Sequence, residues 1–252
     1  MRSEVYIRVG VQNGVTCLRQ AYFTPPYKVA NIREDKRDPL LHLMLMCSSP
    51  GILDGDDHSL RVELEEQSRL QLHTQSYQRL FRMKKGAFQS MDVYLQKGAA
   101  CCYLPCPIVP HEHSIFTSRN RIFLSAGCRL VWGEVLTCGR KLNGEVFMFS
   151  KYHSITELFM EDRLVLRENN CLQPGSTDMR HIGQLEGFTH QASLLAIGEN
   201  DAARTAIHAQ LNGQDGILYG MSTGPENSLV LRILGHKAEQ LHDCLKAIAN
   251  VL

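Results

Sequence analysis

The sequence predicts a mainly β fold with two α-helices near the C-terminus. Through about residue 190, short segments in which apolar and polar residues alternate are separated by turn residues, which is the pattern of many short strands. Beyond that point, two segments carry apolar residues at helical spacing. The 252 residues, 44% hydrophobic and 21% charged, are enough to bury a core and have the balance of a soluble globular protein.

The predicted strands begin with a hairpin. Residues 5–9 predict a strand, Asn13-Gly14 is a strong hairpin signal, and residues 15–23 predict the returning strand, which a Pro-Pro pair ends. Further strands are predicted at residues 40–46, 60–64, 91–95, 121–124, 129–132, 146–149 and 164–166. A dozen or more short strands are compatible with a sandwich, a barrel or a solenoid, and no fixed-period repeat selects the solenoid.

The C-terminal segment, about 191–252, predicts a β-α-β-β-α order. Its strands are expected at residues 193–197, 216–221 and 228–234. We interpret residues 1–252 as a single domain, in which this segment is either a small subdomain or the completion of the main sheet.

The two helices of this segment have recognisable ends. Asn200 or Asp201 is placed to cap the first helix, which Asn212-Gly213 ends. The second helix is expected to begin at about Lys237. Its apolar face comprises Ala238, Leu241, Cys244, Leu245 and Ile248.

Composition excludes several classes of protein. A net charge of +1 does not favour nucleic-acid binding, which needs a strongly basic face. No segment has the apolar core of a signal peptide or the roughly 18 apolar residues of a membrane helix. The nine cysteines are odd in number and irregularly spaced, which indicates reduced thiols rather than a disulfide framework. The sequence therefore predicts a cytoplasmic protein that binds neither nucleic acid nor membrane.

No sequence motif indicates an enzyme. A glycine-rich phosphate loop and a Gly-x-Ser-x-Gly elbow are both absent from the sequence. Cys101, Cys102 and Cys106 lie close together but form no Cys-x-x-Cys pair, so we interpret them as small strand residues rather than zinc ligands. A cysteine hydrolase stays a minor alternative, because no Cys and His are selected as a pair.

His111 and His113 are the metal-ligand candidates. In an extended segment, residues two apart share a face, and imidazole suits nickel and zinc. Cys106 lies nearby in the sequence, so a stand-alone β-rich carrier of nickel or zinc is one hypothesis, and a solvated loop is the other. The remaining histidines, among them His42 and His73, are scattered along the chain, and we interpret them as surface or core residues.

Four segments stand out in order: Gly51-Ile52-Leu53-Asp54-Gly55-Asp56, Leu72-His73-Thr74-Gln75-Ser76 with Leu80-Phe81-Arg82, residues 103–110, and Gly139-Arg140 with Gly144-Glu145-Val146-Phe147. Together they resemble the UreD (UreH) family of urease accessory proteins. Each is weakly specific, but the four in the same order and spacing span about residues 51 to 149. His73 departs from the family pattern, which usually has a Thr-like residue there. The positions that match the family motifs are Gly55 and Asp56; Thr74, Gln75 and Ser76; Leu104, Pro105 and Pro107; and Gly139, Arg140, Gly144 and Glu145.

The resemblance implies both a fold and a function. It implies a β-helix-like stack of strands with two helices, and a protein without catalytic activity that is required for nickel insertion into urease. UreF, the GTPase UreG (through UreF) and the urease apoprotein are the implied partners. Nickel is expected to pass through the interior in transit, with no tightly bound cofactor.

The resemblance also suggests roles for particular motif residues. Asp56, Thr74 and Glu145 are candidates to line a nickel route, and each has an alternative structural role in a turn. For Asp56, that role is to accept hydrogen bonds from backbone amides. Arg140 and Glu145 are expected to form a buried ion pair that shapes the fold. The adjacent motif glycines are expected to serve backbone geometry.

Overall fold

Strands dominate the computed structural model, which describes residues 1–198 and 201–252. In chain order the first strands are β1 (Arg2–Gln12), β2 (Val15–Phe23), β3 (Tyr27–Asn31), β4 (Leu41–Cys47), β5 (Asp57–Leu64), β6 (Arg69–Thr74), β7 (Gln78–Leu80), β8 (Ala87–Leu95) and β9 (Ala100–Tyr103). They are followed by β10 (Ile108–Pro110), β11 (Ile115–Leu124), β12 (Arg129–Thr137), β13 (Lys151–Met160), β14 (Arg163–Leu172), β15 (His190–Ile197), β16 (Leu218–Thr223) and β17 (Leu229–Gly235). The α-helices are α1 (Asp201–Leu211) and α2 (Ala238–Ala249). The predicted fold class is therefore confirmed.

The strands form two sheets. The first sheet has the order β14-β13-β11-β8-β5-β1-β2, and the second has the order β16-β17-β15-β12-β9-β6-β4-β3. The short strands β7 and β10 pair with each other, and β10 also pairs with β12. The hairpin predicted around Asn13-Gly14 is the antiparallel pair β1–β2, in which Gln12 faces Val15.

The middle of the chain builds a β-helix-like stack. From β4 onward it alternates between the sheets, so that β5, β8, β11 and β13 lie parallel in the first sheet while β4, β6, β9 and β12 lie parallel in the second. Each circuit of the chain therefore adds one strand to each sheet. The stacked arrangement is the solenoid among the three architectures that the strand pattern left open.

The main core lies between the two sheets. Along β5, for example, the inward-facing Leu60, Val62 and Leu64 alternate with the outward-facing Ser59, Arg61 and Glu63. A second apolar cluster lies on the outer face of the second sheet, where α2 packs against β12, β15 and β17. From α2 it contains Leu241, Cys244, Leu245 and Ile248, which belong to the predicted apolar face, and from α1 it contains Ile207 and Leu211. We call it the helix cluster.

The C-terminal segment extends the second sheet. β15 pairs with β12 over eight residue pairs, and β17 and β16 follow as antiparallel strands. Helix α1 ends at Leu211, just before Asn212-Gly213, with Gly213 at φ 82°. The cap candidate Asn200 lies outside the described residues. Neither helix among the described residues is long and apolar enough to cross a membrane.

One predicted strand is absent. Residues 146–149 form an irregular loop after a short 3-10 helix, Lys141–Asn143. Phe147 has a positive φ of 56°, and its amide donates to the carbonyl of Cys138 at 2.7 Å. This fold-back prevents an extended conformation, although the alternating residues 146–149 favour a strand locally.

Candidate functional site

Three of the four sequence segments meet at one pocket. Thr74, Gln75 and Ser76 of the second segment, Pro105 of the third and Gly51 at the start of the first all line it. The pocket and the space where it opens to solvent together measure about 670 Å³. It lies between the two sheets toward β3 and β4, and its remaining wall includes side chains from β3, β4, β5, β8 and β9. We call it the mouth pocket.

Thr74 ties two of these segments together. Its Oγ1 accepts a hydrogen bond of 2.7 Å from the backbone amide of Cys106. The Cys106 thiol in turn lies 3.5 Å from the carbonyl oxygen of Thr74. The carbonyl of Pro107 accepts from the amide of Gln78, while Leu104 packs toward the helix cluster. The loop after β9 is therefore held against the end of β6.

Asp56 closes the turn of the first segment and is not among the residues that line the mouth pocket. Its Oδ2 accepts a hydrogen bond of 2.8 Å from the amide of Leu53, and its Oδ1 lies 2.6 Å from the amino group of Met1. Burial by itself would raise the pKa of Asp56, but the amino group and the Leu53 amide together lower it. Gly55 before it has φ 78°, which a glycine adopts at little cost.

The fourth segment lies outside the lining of the mouth pocket. The Arg140 guanidinium pairs with the Glu145 carboxylate, which also accepts from the amide of Glu112 at 3.2 Å. Arg140 remains 43% exposed and Glu145 13% exposed, so the expected pair forms at the surface rather than in the core. The hydrogen bond from Arg140 lowers the pKa of Glu145. Of the three route candidates, only Thr74 lines the mouth pocket.

His111 and His113 lie in a turn, not in the extended segment expected for them. The turn spans residues 111–114, and His113 has φ 60°. His111 is buried with its ring 4.8 Å from that of Phe81, whereas His113 is half exposed beside Glu112. Within residues 1–198 and 201–252, no three His, Cys, Asp or Glu side chains form a metal-binding group.

Two further pockets follow the mouth pocket along the stack. The middle pocket shares Gln78, Gln89, Tyr103 and Pro105 with the mouth pocket. The far pocket shares Trp132 and Glu134 with the middle one. Besides Glu134, the polar side chains that these two pockets add are Ser118, Asn120, Ser154, Thr156, Glu168, Asn170 and Ser193. The three pockets thus form a continuous series between the sheets, from β4 at the mouth pocket to β14 at the far pocket.

Strand register aligns these polar side chains in two rows. Ser118 on β11 pairs with Ser154 on β13, which pairs with Asn170 on β14. The second row consists of Asn120, Thr156 and Glu168 on the same strands.

One buried hydroxyl of these rows has no hydrogen-bond partner among the described residues. The Asn120 amide donates to Thr156 Oγ1 at 3.2 Å. The buried Ser118 hydroxyl has no hydrogen-bond partner within the described part of the chain. A hydroxyl of this kind is available to water or to a hydrated ion.

Glu134 is the acidic group of the middle pocket. It projects from β12 toward the first sheet, where Ser154 donates a hydrogen bond of 2.9 Å to its Oε2. Burial raises the pKa of Glu134, although hydrogen bonding to the carboxylate acts in the opposite direction. A cation in the pocket would favour the ionised form. Glu134 is therefore the group best placed to balance positive charge inside the stack.

An ion pair flanks the far pocket. Glu168 on the edge strand β14 pairs with Arg232 on β17, which belongs to the second sheet. Both side chains are partly exposed, at 20% and 45%. This pair connects the edge strand β14 of the first sheet to β17, the second strand of the other sheet, where the polar rows end.

Sequence analysis missed these interior polar residues. Their signal is a pair of polar residues two apart at inward positions of an otherwise apolar strand, as in Ser118 and Asn120 of β11 and Ser154 and Thr156 of β13. That signal can be interpreted only when the strand register is known, because the register places Ser118 beside Ser154 and Asn120 beside Thr156.

Comparisons with known proteins agree on one family. The family model described as UreD urease accessory protein matches residues 1–252. A protein of Flavobacterium johnsoniae named urease accessory protein UreD is 43% identical over 256 residues, covering 100% of this chain and 92% of the relative. Proteins of the same name from Acetivibrio thermocellus and Haemophilus influenzae (strain 86-028NP) are 35% and 31% identical, over 99% and 95% of this chain. The alignments cover 97% and 94% of those two relatives.

Proposed function

The chain belongs to the UreD family of urease accessory proteins, and on that premise we propose that it guides nickel through its interior during the maturation of urease. The proposed protein is a scaffold and conduit rather than an enzyme. Nickel is its cargo, held in transit rather than as a resident cofactor.

The single observation that supports the conduit is the row of three pockets with polar walls. A bare divalent ion in an apolar interior is very costly, so a route through a protein core needs lining oxygen atoms. Hydroxyl and amide groups such as those of Ser118 and Asn120 line the middle pocket. They can replace hydration water without holding the ion as strongly as a full set of imidazoles or thiolates, and conduction requires such weak sites in series. Glu134 supplies one compensating negative charge.

The partners of this proposal follow from family membership. We propose that the chain acts in the cytoplasm, that it binds UreF and, through UreF, the GTPase UreG, and that the assembly docks on the urease apoprotein. Handing an ion directly from one protein to the next avoids releasing it into solution. The mouth pocket and the far pocket are the two proposed ends of the route.

A co-expression experiment tests the maturation role first. Urease apoprotein, UreF, UreG and nickel are supplied with and without this chain, and urease activity and bound nickel are measured. Both should collapse when the chain is omitted. Unchanged activity without the chain would refute a role in maturation.

A pair of substitutions on one strand then tests the conduit. Ser118→Leu places a large apolar side chain in the middle pocket, and Thr117→Leu places the same side chain on the outer face of β11, because side chains of a strand alternate. Urease activation should fall with Ser118→Leu and persist with Thr117→Leu. Overpacking costs about 1–3 kcal/mol, so the fold of both variants is checked by thermal melting and by retention of UreF. Full activation by a folded Ser118→Leu protein would exclude this route.

A further inference from the structure

Two histidines that lie far apart in the sequence are in contact on the second sheet. His42 is on β4 and His73 is on the parallel neighbour β6, 31 residues later. Nδ1 of His42 lies 3.1 Å from Nε2 of His73, and the rings are nearly parallel, with an angle of 15° between their planes. The two histidines, which are scattered in the sequence, are therefore neighbours in the fold.

The pair lies on the outer face of the sheet. Along β4, buried Leu41, Leu43 and Leu45 point into the core, so His42 and Met44 between them point outward. His73 likewise follows buried Leu72. Both imidazoles are partly exposed, which leaves them accessible from solvent. The interior pockets lie on the other face of this sheet.

We propose that His42 and His73 together form a surface site for a divalent first-row transition-metal ion such as nickel or zinc. Two nitrogens that each lie about 2.0–2.1 Å from one ion are separated by about 2.9 Å at octahedral angles and about 3.4 Å at tetrahedral angles. The observed separation of 3.1 Å falls between these values. The distance between the two facing nitrogens is therefore compatible with both binding one ion.

The protonation of the pair permits this binding. In the present arrangement one ring donates its N–H to the other, so one facing nitrogen carries a proton. Moving that proton to the other nitrogen of the same ring frees both facing lone pairs, and no proton is lost from the pair.

The neighbours of the pair are compatible with a metal ion. Met44 lies in register with His73, and Gln71 lies in register with both His42 and Cys102. The thioether of Met44 and the amide of Gln71 thus lie beside the imidazoles, and the thiol of Cys102 lies one strand further away. None of these three side chains is positively charged. Water completes the coordination. The site lies outside the proposed interior route and does not depend on it.

Metal titration of matched variants tests the site. The full-length protein, without a polyhistidine tag, is titrated with zinc and with nickel by isothermal calorimetry. His42→Gln and His73→Gln each remove one ligand and retain a hydrogen-bonding side chain. His153→Gln is the control, because His153 lies on β13 of the first sheet, where it bonds to Asn169. Thermal melting in a chelator verifies that all variants are folded.

The wild-type protein should bind one ion, and each pair variant should lower the affinity at least about tenfold. Tenfold is the smaller end of the loss caused by removing only a supporting partner of a ligand, so removing a ligand itself should cost at least as much. His153→Gln should leave that affinity unchanged. Equal binding by the wild type and either pair variant, including no binding by any of them, overturns the proposal. The readout is metal bound to the isolated chain, so a failure of the interior route in urease activation leaves this result unaffected.

Discussion

Ser154 and Glu134 form a hydrogen bond across the space between the two sheets, with the Ser154 hydroxyl 2.9 Å from Glu134 Oε2. Ser154 lies on β13 of the first sheet and Glu134 on β12 of the second. β12 and β13 are consecutive strands of the chain, so the bond links the two sheets within one turn of the stack. It does so at the height of the interior polar side chains. The same contact places the acidic group between the middle and far pockets.

The first prediction concerns Glu134→Gln and pH. Because burial raises the pKa of Glu134 in the folded state, the folded protein binds this proton more tightly than the unfolded chain, in which the pKa is about 4.3. The stability that this group contributes is fully present below that value and is lost as the pH rises through the folded pKa. The glutamine variant lacks this loss and should gain stability relative to the wild type with rising pH, by about 1.4 kcal/mol for each unit of pKa shift.

Urea denaturation of both proteins at a series of pH values measures this difference. Subtracting the two curves removes the contribution of surface carboxylates such as Glu145, whose pKa is lowered. A difference that stays constant from about pH 4 to pH 8 would contradict the raised pKa of Glu134.

The second prediction concerns the hydrogen bond between Thr74 and Cys106. Thr74→Val preserves the shape of the side chain but removes the acceptor of the Cys106 amide, so we expect a loss of about 1–2 kcal/mol. Thr74→Ser keeps the hydroxyl and should retain the bond. Amide hydrogen exchange at Cys106 is the direct measurement, since protection should fall in the valine variant and persist in the serine variant. Equal protection in both would show that the hydroxyl is not the acceptor.

The third prediction compares two glycines of one turn. Gly139 has φ 121°, and a Cβ there would lie 2.9 Å from the carbonyl oxygens of both Pro110 and Glu145. Gly139→Ala should therefore cost about 2–4 kcal/mol. Gly144 has φ 82°, and no atom lies within 4 Å of the position that an alanine methyl group would take, so Gly144→Ala should cost only about 1 kcal/mol. Denaturant unfolding of the two variants should rank them in this order, and the reverse order would refute the close approach at Gly139.

The fourth prediction concerns the packing of α2 on the second sheet. Leu241 is fully buried in the helix cluster, so Leu241→Ala should destabilise the protein by about 2–5 kcal/mol. Lys246 lies on the exposed face in a pair with Asp243, and Lys246→Ala should change stability by no more than about 0.5 kcal/mol. Both values are read from the denaturation midpoint. Similar small effects would indicate that α2 is not docked on the sheet.

Local patterns predicted much of the fold. Asn13-Gly14 marks the first hairpin because its residues adopt positive φ, and φ is 52° and 79° at these two positions. Helical spacing predicted the apolar face of α2. In the structure, Leu241 and Ile248 of that face are buried. The predicted strand at 146–149 is wrong because a non-local contact, the Phe147 amide with the Cys138 carbonyl, outweighs the local preference.

The candidate site was less accessible to sequence analysis. Thr74 and Pro105 were selected as motif positions, and the structure brings both to the mouth pocket. Glu134, Ser118 and Ser154 were not selected, because a single polar residue in an apolar strand has the same appearance as many surface positions. Their role depends on which face of the strand is inward, and a shift of one residue in register would reverse it.

The sequence by itself determined the predominance of strands, the number of helices and the family, since these depend on spacing within short segments and on the order of motifs. Only the tertiary structure decided which distant residues meet. Parallel strands carry no local signal for their partners, so neither the row from Ser118 to Asn170 nor the contact of His42 with His73 can be read from spacing. Register between strands is set by core packing over the whole stack, and it places these side chains together.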